Sequence, residues 1–107
     1  MKNEEIILAK RIELMMKGEI GTTGKIIKIE TEGGTEIETE EPEEIHTASY
    51  WEKKGRKIKE NQEPITEIKI WKPYNNAKRK GVIKSKAKFY KLEQTEEKEN
   101  VHSDSLG

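Results

Sequence analysis

The chain has 107 residues, 31% of them hydrophobic and 39% charged, and its 21 basic and 21 acidic side chains cancel. This length fits one small domain, and the absence of cysteine excludes disulfides and thiolate–zinc sites. No apolar run approaches the roughly 18 residues of a membrane span. Without cysteine or a signal-peptide pattern near Met1, the sequence favours a cytoplasmic location, with no membrane association, cofactor or metal ion.

The charges and aromatic residues are unevenly distributed along the chain. Residues 1–50 hold 6 basic and 12 acidic side chains, residues 51–91 hold 14 and 4, and residues 92–107 hold 1 and 5. All six aromatic residues lie between positions 50 and 90. Charge blocks attract ligands of opposite sign, so this basic, aromatic segment bears on the choice of partner.

Helical periodicity opens the chain. Apolar residues recur at 3.6-residue spacing over residues 4–17, which predicts a first helix with Asn3 as its N-cap and Gly18 as its stop. Met15 and Met16 are assigned to the core, in preference to a partner-binding stripe.

A hairpin is predicted next. Two runs flank Gly33-Gly34: residues 25–31, where Ile27 and Ile29 alternate with charged residues, and residues 35–40, where Ile37 is the one apolar residue. A hairpin turn is favoured over a phosphate-binding turn because no helix N-terminus follows the glycines. The glutamate-rich second run is typical of a solvated edge strand.

The basic segment holds the remaining elements. Pro42 is expected to open a second helix that ends at Gly55, with Trp51 on its apolar side. Strands are predicted at 65–72 and 82–92, on either side of a loop at 73–81.

The predicted fold class is therefore α+β, with two helices packed on a small, mainly antiparallel sheet in the order α-β-β-α-β-β. Residues 1–94 form the single domain, and residues 95–107 are predicted to be a disordered C-terminal tail, because they are polar and aperiodic. The lean core also leaves open a chain that folds only as a dimer, and the sequence does not fix the oligomeric state.

No pattern in the sequence predicts an enzyme. It contains no HExxH, no G-x-S-x-G and no phosphate-binding loop, and its two histidines, His46 and His102, lie far apart. Its glutamates stand in exposed runs, where no pocket shifts their pKa. No catalytic or metal-binding residues are therefore assigned.

The basic segment is the candidate site. Alternation in the last strand places Ile83, Ala87 and Phe89 on a core face and the lysines on the other face. Cations that track phosphates and rings that stack on bases are the components of single-strand binding, although strand lysines also solvate sheet faces and protect edges. The candidate nucleic-acid-binding residues are Lys53, Lys54, Arg56, Lys57, Lys59, Lys69, Trp71, Lys78, Arg79, Lys80, Lys84, Lys86, Lys88 and Tyr90.

Residues 42–95 resemble the N-terminal domain of ArdC-type antirestriction proteins. The stretches EEIHTASYWEKKGRKIKENQEPITEIKIWKP and KAKFYKLEQTE carry the likeness: a helix ending in W-x-x-x-G, a strand ending near Trp, and a final K-A-x-F-[FY] strand. The turn KENQE departs from the family's usual K-K-G-E, and the Gly33-Gly34 hairpin and the absence of HExxH depart from full-length members. The matched positions are Trp51, Gly55, Lys57, Trp71, Lys86, Phe89, Tyr90 and Gln94.

The resemblance implies binding of single-stranded DNA in a mobile genetic element, such as a conjugative element or phage of Gram-positive bacteria, where the protein protects incoming DNA. An alternative is a protein partner. The acidic residues between Glu36 and Glu44 form a patch suited to the basic surface of a host defence nuclease, which the chain would then inhibit.

Overall fold

In a computed structural model of the protein, the backbone is described for residues 2–75 and 80–98, and the side chains for residues 2–73 and 81–98. Within these ranges the fold is α+β, and all strand pairs are antiparallel, in the orders β1–β2, β3–β6–β5 and β4–β7. Neither described helix is long and apolar enough to cross a membrane. The elements are α1 (Asn3–Met16), β1 (Thr22–Glu30), β2 (Glu36–Pro42), β3 (Ile45–His46), α2 (Ala48–Lys53), β4 (Arg56–Ile58), β5 (Thr66–Asn75), β6 (Lys80–Lys91), a 3₁₀ turn (Leu92–Gln94) and β7 (Thr95–Glu97).

The core lies between α1 and one face of the three-stranded sheet. Ile68 of β5 stands opposite Ala87 of β6, so the two strands present apolar side chains to the same side. The buried cluster consists of Leu14, Ile20, Ile45, Ile68, Ala87 and Phe89. The predicted core face is confirmed at Ala87 and Phe89, whereas Ile83 is 48% exposed. Ile83 stands opposite Lys72, beyond the point where the first turn of α1 meets β5, so the helix does not cover it.

The first helix ends as predicted but begins differently. Gly18 follows the C-cap with a φ of 76°, the left-handed conformation in which glycine is least strained. The expectation that Asn3 is the N-cap is wrong, because Lys2 holds that position and Asn3 is the first helical residue. The Asn3 side chain instead bonds to the backbone of Trp71, on the outer edge of β5.

The second helix starts at Ala48, six residues after Pro42, so that expectation is also wrong. Pro42 is buried at the end of β2, and the two residues of β3 precede the helix. Thr47 is the N-cap, and its hydroxyl accepts a hydrogen bond from the backbone N–H of Tyr50 at 3.3 Å. The predicted end is confirmed at Gly55, which has a φ of 80°.

The predicted hairpin around Gly33-Gly34 is confirmed as β1–β2, with Gly34 at a φ of 81°. Its base is tied to the body of the fold by Arg11 of α1, whose guanidinium donates to the carbonyl oxygens of Pro42 and Glu43. The pairing register breaks between Thr22 and Ile26, where Gly24 has a φ of 89°.

The sequence predicted a disordered tail from residue 95, and this is wrong for the first residues of that segment. Thr95–Glu97 form β7, which pairs with β4. Thr95 is buried, and its hydroxyl donates to the carbonyl oxygen of Leu92 while accepting from Arg56. The buried hydroxyl has both hydrogen-bond partners that it needs, and these bonds hold Thr95–Glu97 against β4. The three residues carry no apolar pattern from which a strand could be predicted. Residues 99–107 lie outside the described residues.

Candidate nucleic-acid interface

The register of β5 and β6 gathers basic and aromatic side chains on the face of the sheet that α1 does not cover. Directly opposite residues of an antiparallel pair project to the same side. Trp71 stands opposite Lys84, and Lys69 stands opposite Lys86, while Lys88 and Tyr90 continue the same alternation on β6. We call this surface the lysine face: Lys69, Trp71, Lys84, Lys86, Lys88 and Tyr90.

Trp71 is the exposed aromatic residue of this face. Its side chain is 42% exposed, although a tryptophan on a sheet would ordinarily be covered. The ammonium nitrogen of Lys84 lies 5.4 Å from the centre of the indole ring, within the range of a cation–π contact. One face of the ring is therefore paired with a cation that can also reach a phosphate.

The position of Trp71 is set by α1 rather than by its neighbours in sequence. The side-chain amide of Asn3 donates from Nδ2 to the carbonyl oxygen of Trp71 at 2.9 Å, and Oδ1 accepts from the Trp71 N–H at 2.8 Å. These two bonds occupy the outward-facing backbone groups of β5 at this residue. No local pattern predicts the contact, because it joins residues 68 positions apart.

The lysine face carries little compensating charge. Glu67, which stands opposite Lys88, is its one acidic residue among the described positions of the hairpin. Within the described part of the chain, none of the four lysines forms a salt bridge with a carboxylate. Lys69 and Lys86 stand directly opposite each other, and like charges in such a pair destabilise the pairing of two strands. A bound polyanion would remove that repulsion.

Tyr90 lies at the other end of the lysine face, between two shallow depressions. It stands opposite His46 of β3 and is half-buried. One depression, of about 550 Å³, lies towards α2, and the second, of about 480 Å³, lies towards the turn before β5. Both are lined by Tyr90 and Lys88, so the Tyr90 side chain is accessible from two sides.

Trp51 has a structural environment, unlike Trp71. It is only 7% exposed, and its indole Nε1 donates to the carbonyl oxygen of Tyr90 at 3.0 Å. Its ring makes edge contacts with His46 and Tyr50, which stack on each other with centres 3.6 Å apart. Trp51 therefore fixes α2 against the end of β6.

The predicted cations at positions 53–59 are not on the lysine face, because they lie at the end of α2 and along β4. Arg56 uses Nε and Nη2 to hold the side chain and backbone of Thr95, at 2.6 and 3.2 Å. Lys57 lies 3.9 Å from Glu96 of β7, and Lys54 lies 5.5 Å above the Tyr50 ring. Lys53 and Lys59 are exposed.

The cations predicted in the loop are not placed. Lys78 and Arg79 lie outside the described residues, as does the side chain of Lys80. Lys72, which was not singled out from the sequence, reaches from β5 to β6, where its Nζ donates to the carbonyl oxygen of Lys86 at 3.2 Å.

Four acidic residues of the first hairpin also share one face. Glu30 stands opposite Glu36, and Glu38 stands opposite Lys28, with Glu40 next in the alternation. We call this surface the acidic ribbon: Glu30, Glu36, Glu38 and Glu40. Lys28 is its one described cation, at 3.9 Å from Glu36.

The described residues contain no group of three or more His, Cys, Asp or Glu side chains placed to hold a metal ion. Two ion-paired sites show shifted pKa values, and both are away from the lysine face. Hydrogen bonds from Lys10 and Lys17 lower the pKa of Glu13, and a hydrogen bond with Lys91 lowers that of Glu93. The bond with Glu93 raises the pKa of Lys91 in turn.

In comparisons with known proteins, no protein-family model, curated protein or solved structure matches the chain.

Proposed function

We propose that this protein binds single-stranded nucleic acid, and single-stranded DNA in particular, through the lysine face with little sequence preference. The observation that carries the proposal is the register of β5 and β6. It sets Trp71 against Lys84 on an exposed face where four lysines accompany one described acid. Lysines on such a face neutralise phosphates, and an exposed ring stacks on any base at about 1–3 kcal/mol per base.

The resemblance to the ArdC-type domain supports the same proposal. Of its matched positions, Trp71, Lys86 and Tyr90 belong to the lysine face, whereas Trp51 and Phe89 are buried. The matched residues therefore include positions on the lysine face as well as buried positions. In this setting the protein would cover the single-stranded DNA of a mobile element in the cytoplasm of its host.

The test is fluorescence anisotropy with a labelled oligothymidylate of about 15 nucleotides at several salt concentrations. Binding should weaken as salt rises, because each phosphate contact releases counterions. In the variant Lys84→Gln/Lys86→Gln/Lys88→Gln, the slope of log affinity against log salt should fall in magnitude by about 2, at about 0.7 per contact.

The matched control is Lys17→Gln/Lys25→Gln/Lys28→Gln, which removes the same charge from exposed lysines at the C-cap of α1 and in β1. It should retain most of the affinity and nearly all of the salt dependence. An equal loss in both variants would show that binding follows overall charge, and no binding by the parent chain at low salt would refute the proposal. Oligouridylate and duplex DNA in parallel identify which nucleic acid is preferred.

A second candidate function rests on the acidic ribbon, whose four glutamates project from one face of β1–β2. Such a surface resembles a row of phosphates and suits the basic cleft of a host nuclease. If the ribbon is the active surface, Glu36→Lys/Glu38→Lys/Glu40→Lys should abolish protection of DNA from a restriction endonuclease, and Lys84→Glu/Lys86→Glu/Lys88→Glu should spare it. The reverse result favours the lysine face.

A further inference from the structure

One side of β6 lacks a strand partner over most of its length. β5 pairs with β6 from Asn75↔Lys80 to Thr66↔Phe89, whereas on the other side β3 pairs only with Tyr90 and Lys91. After His46 the chain turns into α2, and within the described residues no other strand continues along this side. Strand edges of this kind template the addition of another strand.

The direction of the backbone groups on this side follows from two contacts. The N–H and C=O of Trp71 bond to Asn3, so they point away from β6. In an antiparallel pair the opposite residue points away likewise, so the backbone groups of Lys84 face away from β5, and alternation extends this to Lys86 and Lys88. Tyr90, next in the series, confirms the direction, because its outward carbonyl oxygen accepts from Trp51. We call the backbone N–H and C=O groups of Lys84, Lys86 and Lys88 the open edge of β6.

A groove of about 550 Å³ lies along the open edge. Thr47, Ala48 and Ser49 line it from α2, and Ile70 and Ala87 line it from the sheet. Positive charge comes from Lys72, Lys86 and Lys88. The Nζ of Lys72 already donates a hydrogen bond to the carbonyl oxygen of Lys86. The groove thus offers backbone partners, an apolar floor and cations together.

The side chains of β6 select the partner. If two copies paired through their open edges about a two-fold axis at Lys86, lysine would stand opposite lysine at every position of this face. Like charges directly opposite are destabilising, whereas opposite charges contribute about 0.2–1 kcal/mol per pair. The edge therefore disfavours pairing with the same edge of a second copy and favours a strand with an acidic residue at every second position.

From this geometry we infer that an extended, acidic segment of a partner protein adds to the open edge of β6 as an antiparallel strand, in the place where β3 would lie if it continued. Its alternate carboxylates face Lys84, Lys86 and Lys88, and its backbone completes their hydrogen bonds, as in other recognition by strand addition. The same lysines bind nucleic acid in the proposed function, so the acidic strand and single-stranded DNA compete.

The test uses a synthetic, fluorescein-labelled peptide of seven alternating glutamate and valine residues, blocked at both ends. Anisotropy should show saturable binding. N-methylation of the alternate amides that face β6 should weaken binding at least tenfold, and methylation of the other set should have little effect. A peptide of the same composition with its glutamates in one block is the control for charge. Equal binding of all these peptides would mean that only charge is recognised and would overturn the inference.

Amide hydrogen exchange followed by NMR locates the strand. The peptide should protect the amides of Lys84, Lys86 and Lys88 and leave those of Ile83, Ser85 and Ala87 unchanged, since these already face β5. Lys86→Pro removes one outward N–H, which an edge strand tolerates, and should weaken peptide binding more than Lys86→Gln does. Should Lys86→Pro fail to fold, the methylated peptides decide alone. Protection absent from all three lysine amides would contradict strand addition.

Discussion

At the scale of single residues, the two tryptophans show how one residue type serves two purposes in this chain. Both lie in the basic segment of residues 51–91. Trp51 is 7% exposed and donates to Tyr90, whereas Trp71 is 42% exposed and lies under Lys84. The first therefore stabilises the fold, and the second is available to a ligand.

Substitution of each tryptophan by phenylalanine should separate the two roles. Trp51→Phe removes the donor to the carbonyl oxygen of Tyr90 and should lower the free energy of unfolding by about 1–3 kcal/mol. Trp71→Phe should change it by less than about 0.5 kcal/mol, as for other surface positions. Urea denaturation measures both. A destabilisation by Trp71→Phe equal to that of Trp51→Phe would contradict this assignment.

The ligand-binding counterpart is Trp71→Ala, which should weaken oligothymidylate binding by about 1–3 kcal/mol through loss of one stacking ring. Trp51→Phe is its control, because it changes no side chain of the lysine face. Anisotropy below the unfolding transition is the measurement. Unchanged affinity in Trp71→Ala would remove the stacking contribution from the proposed function and leave the lysines alone responsible.

At the scale of elements, β4 and β7 show how short strands are held without an apolar face. Each has three residues, and their pairing sets Arg56 opposite Glu97 and Lys57 opposite Glu96. The joint depends on the buried hydroxyl of Thr95, which lies between the guanidinium of Arg56 and the carbonyl oxygen of Leu92, at 2.6 Å from each. Neither strand carries the hydrophobic alternation by which strands are predicted.

Thr95→Val tests this joint. Valine keeps the shape of threonine but leaves the Arg56 Nε and the Leu92 carbonyl oxygen without that partner, so the free energy of unfolding should fall by about 1–3 kcal/mol. Thr95→Ser keeps the hydroxyl and should cost about 1 kcal/mol for the lost methyl group. Chemical denaturation of the two variants side by side gives the comparison. If serine costs as much as valine, packing and not hydrogen bonding holds β7.

At the scale of the whole molecule, the shape is extended and charges of opposite sign lie in separate regions. The radius of gyration is 17.2 Å, against about 13 Å expected for a compact domain of this length. The lysine face and the acidic ribbon belong to two different hairpins, so the zero net charge comes from separated regions of opposite sign. Such a molecule presents a strong local field to a ligand in spite of its neutrality.

Acid should destabilise the fold through its ion-paired carboxylates. Hydrogen bonds from lysines lower the pKa values of Glu13 and Glu93 below their ordinary range in the folded chain. Their contribution is complete above the ordinary glutamate pKa of about 4.3 and is lost as the pH falls through the lowered values. Lys91, whose pKa is raised, contributes below the ordinary lysine pKa of about 10.4 and loses its contribution above the raised value.

Urea midpoints at pH 7 and near pH 3 measure this effect. The midpoint should fall between the two pH values, and Glu93→Gln should reduce the difference because it removes one of the titrating groups. Glu60→Gln, at an exposed turn position, is the control and should leave the difference unchanged. A Glu93→Gln variant with the full acid sensitivity of the parent would show that the pair with Lys91 does not stabilise the fold.

Local sequence pattern was sufficient for the α+β class, the helix that stops at Gly18, the hairpin around Gly33-Gly34, and the alternation that separates Ala87 and Phe89 from the lysines of β6. These features depend on neighbours within one turn or one strand, which is the range over which periodicity acts. The charge blocks could also be read from the sequence, because the order of charged residues along the chain does not depend on the fold.

The remaining features depend on contacts between distant parts of the chain. Asn3 meets Trp71 across 68 positions, and Arg56 meets Thr95 across 39, so no window of sequence contains both partners. Trp51 is buried where its indole bonds to the carbonyl oxygen of Tyr90, 39 positions away, and the early end of β3 leaves the open edge of β6. Propensity placed a helix at Pro42 and a tail at residue 95, and long-range hydrogen bonds overrode both. Tertiary packing therefore decides whether a given tryptophan or lysine lies in the core, against a neighbouring strand or on an exposed face. The reason is that burial depends on contacts made by the whole chain.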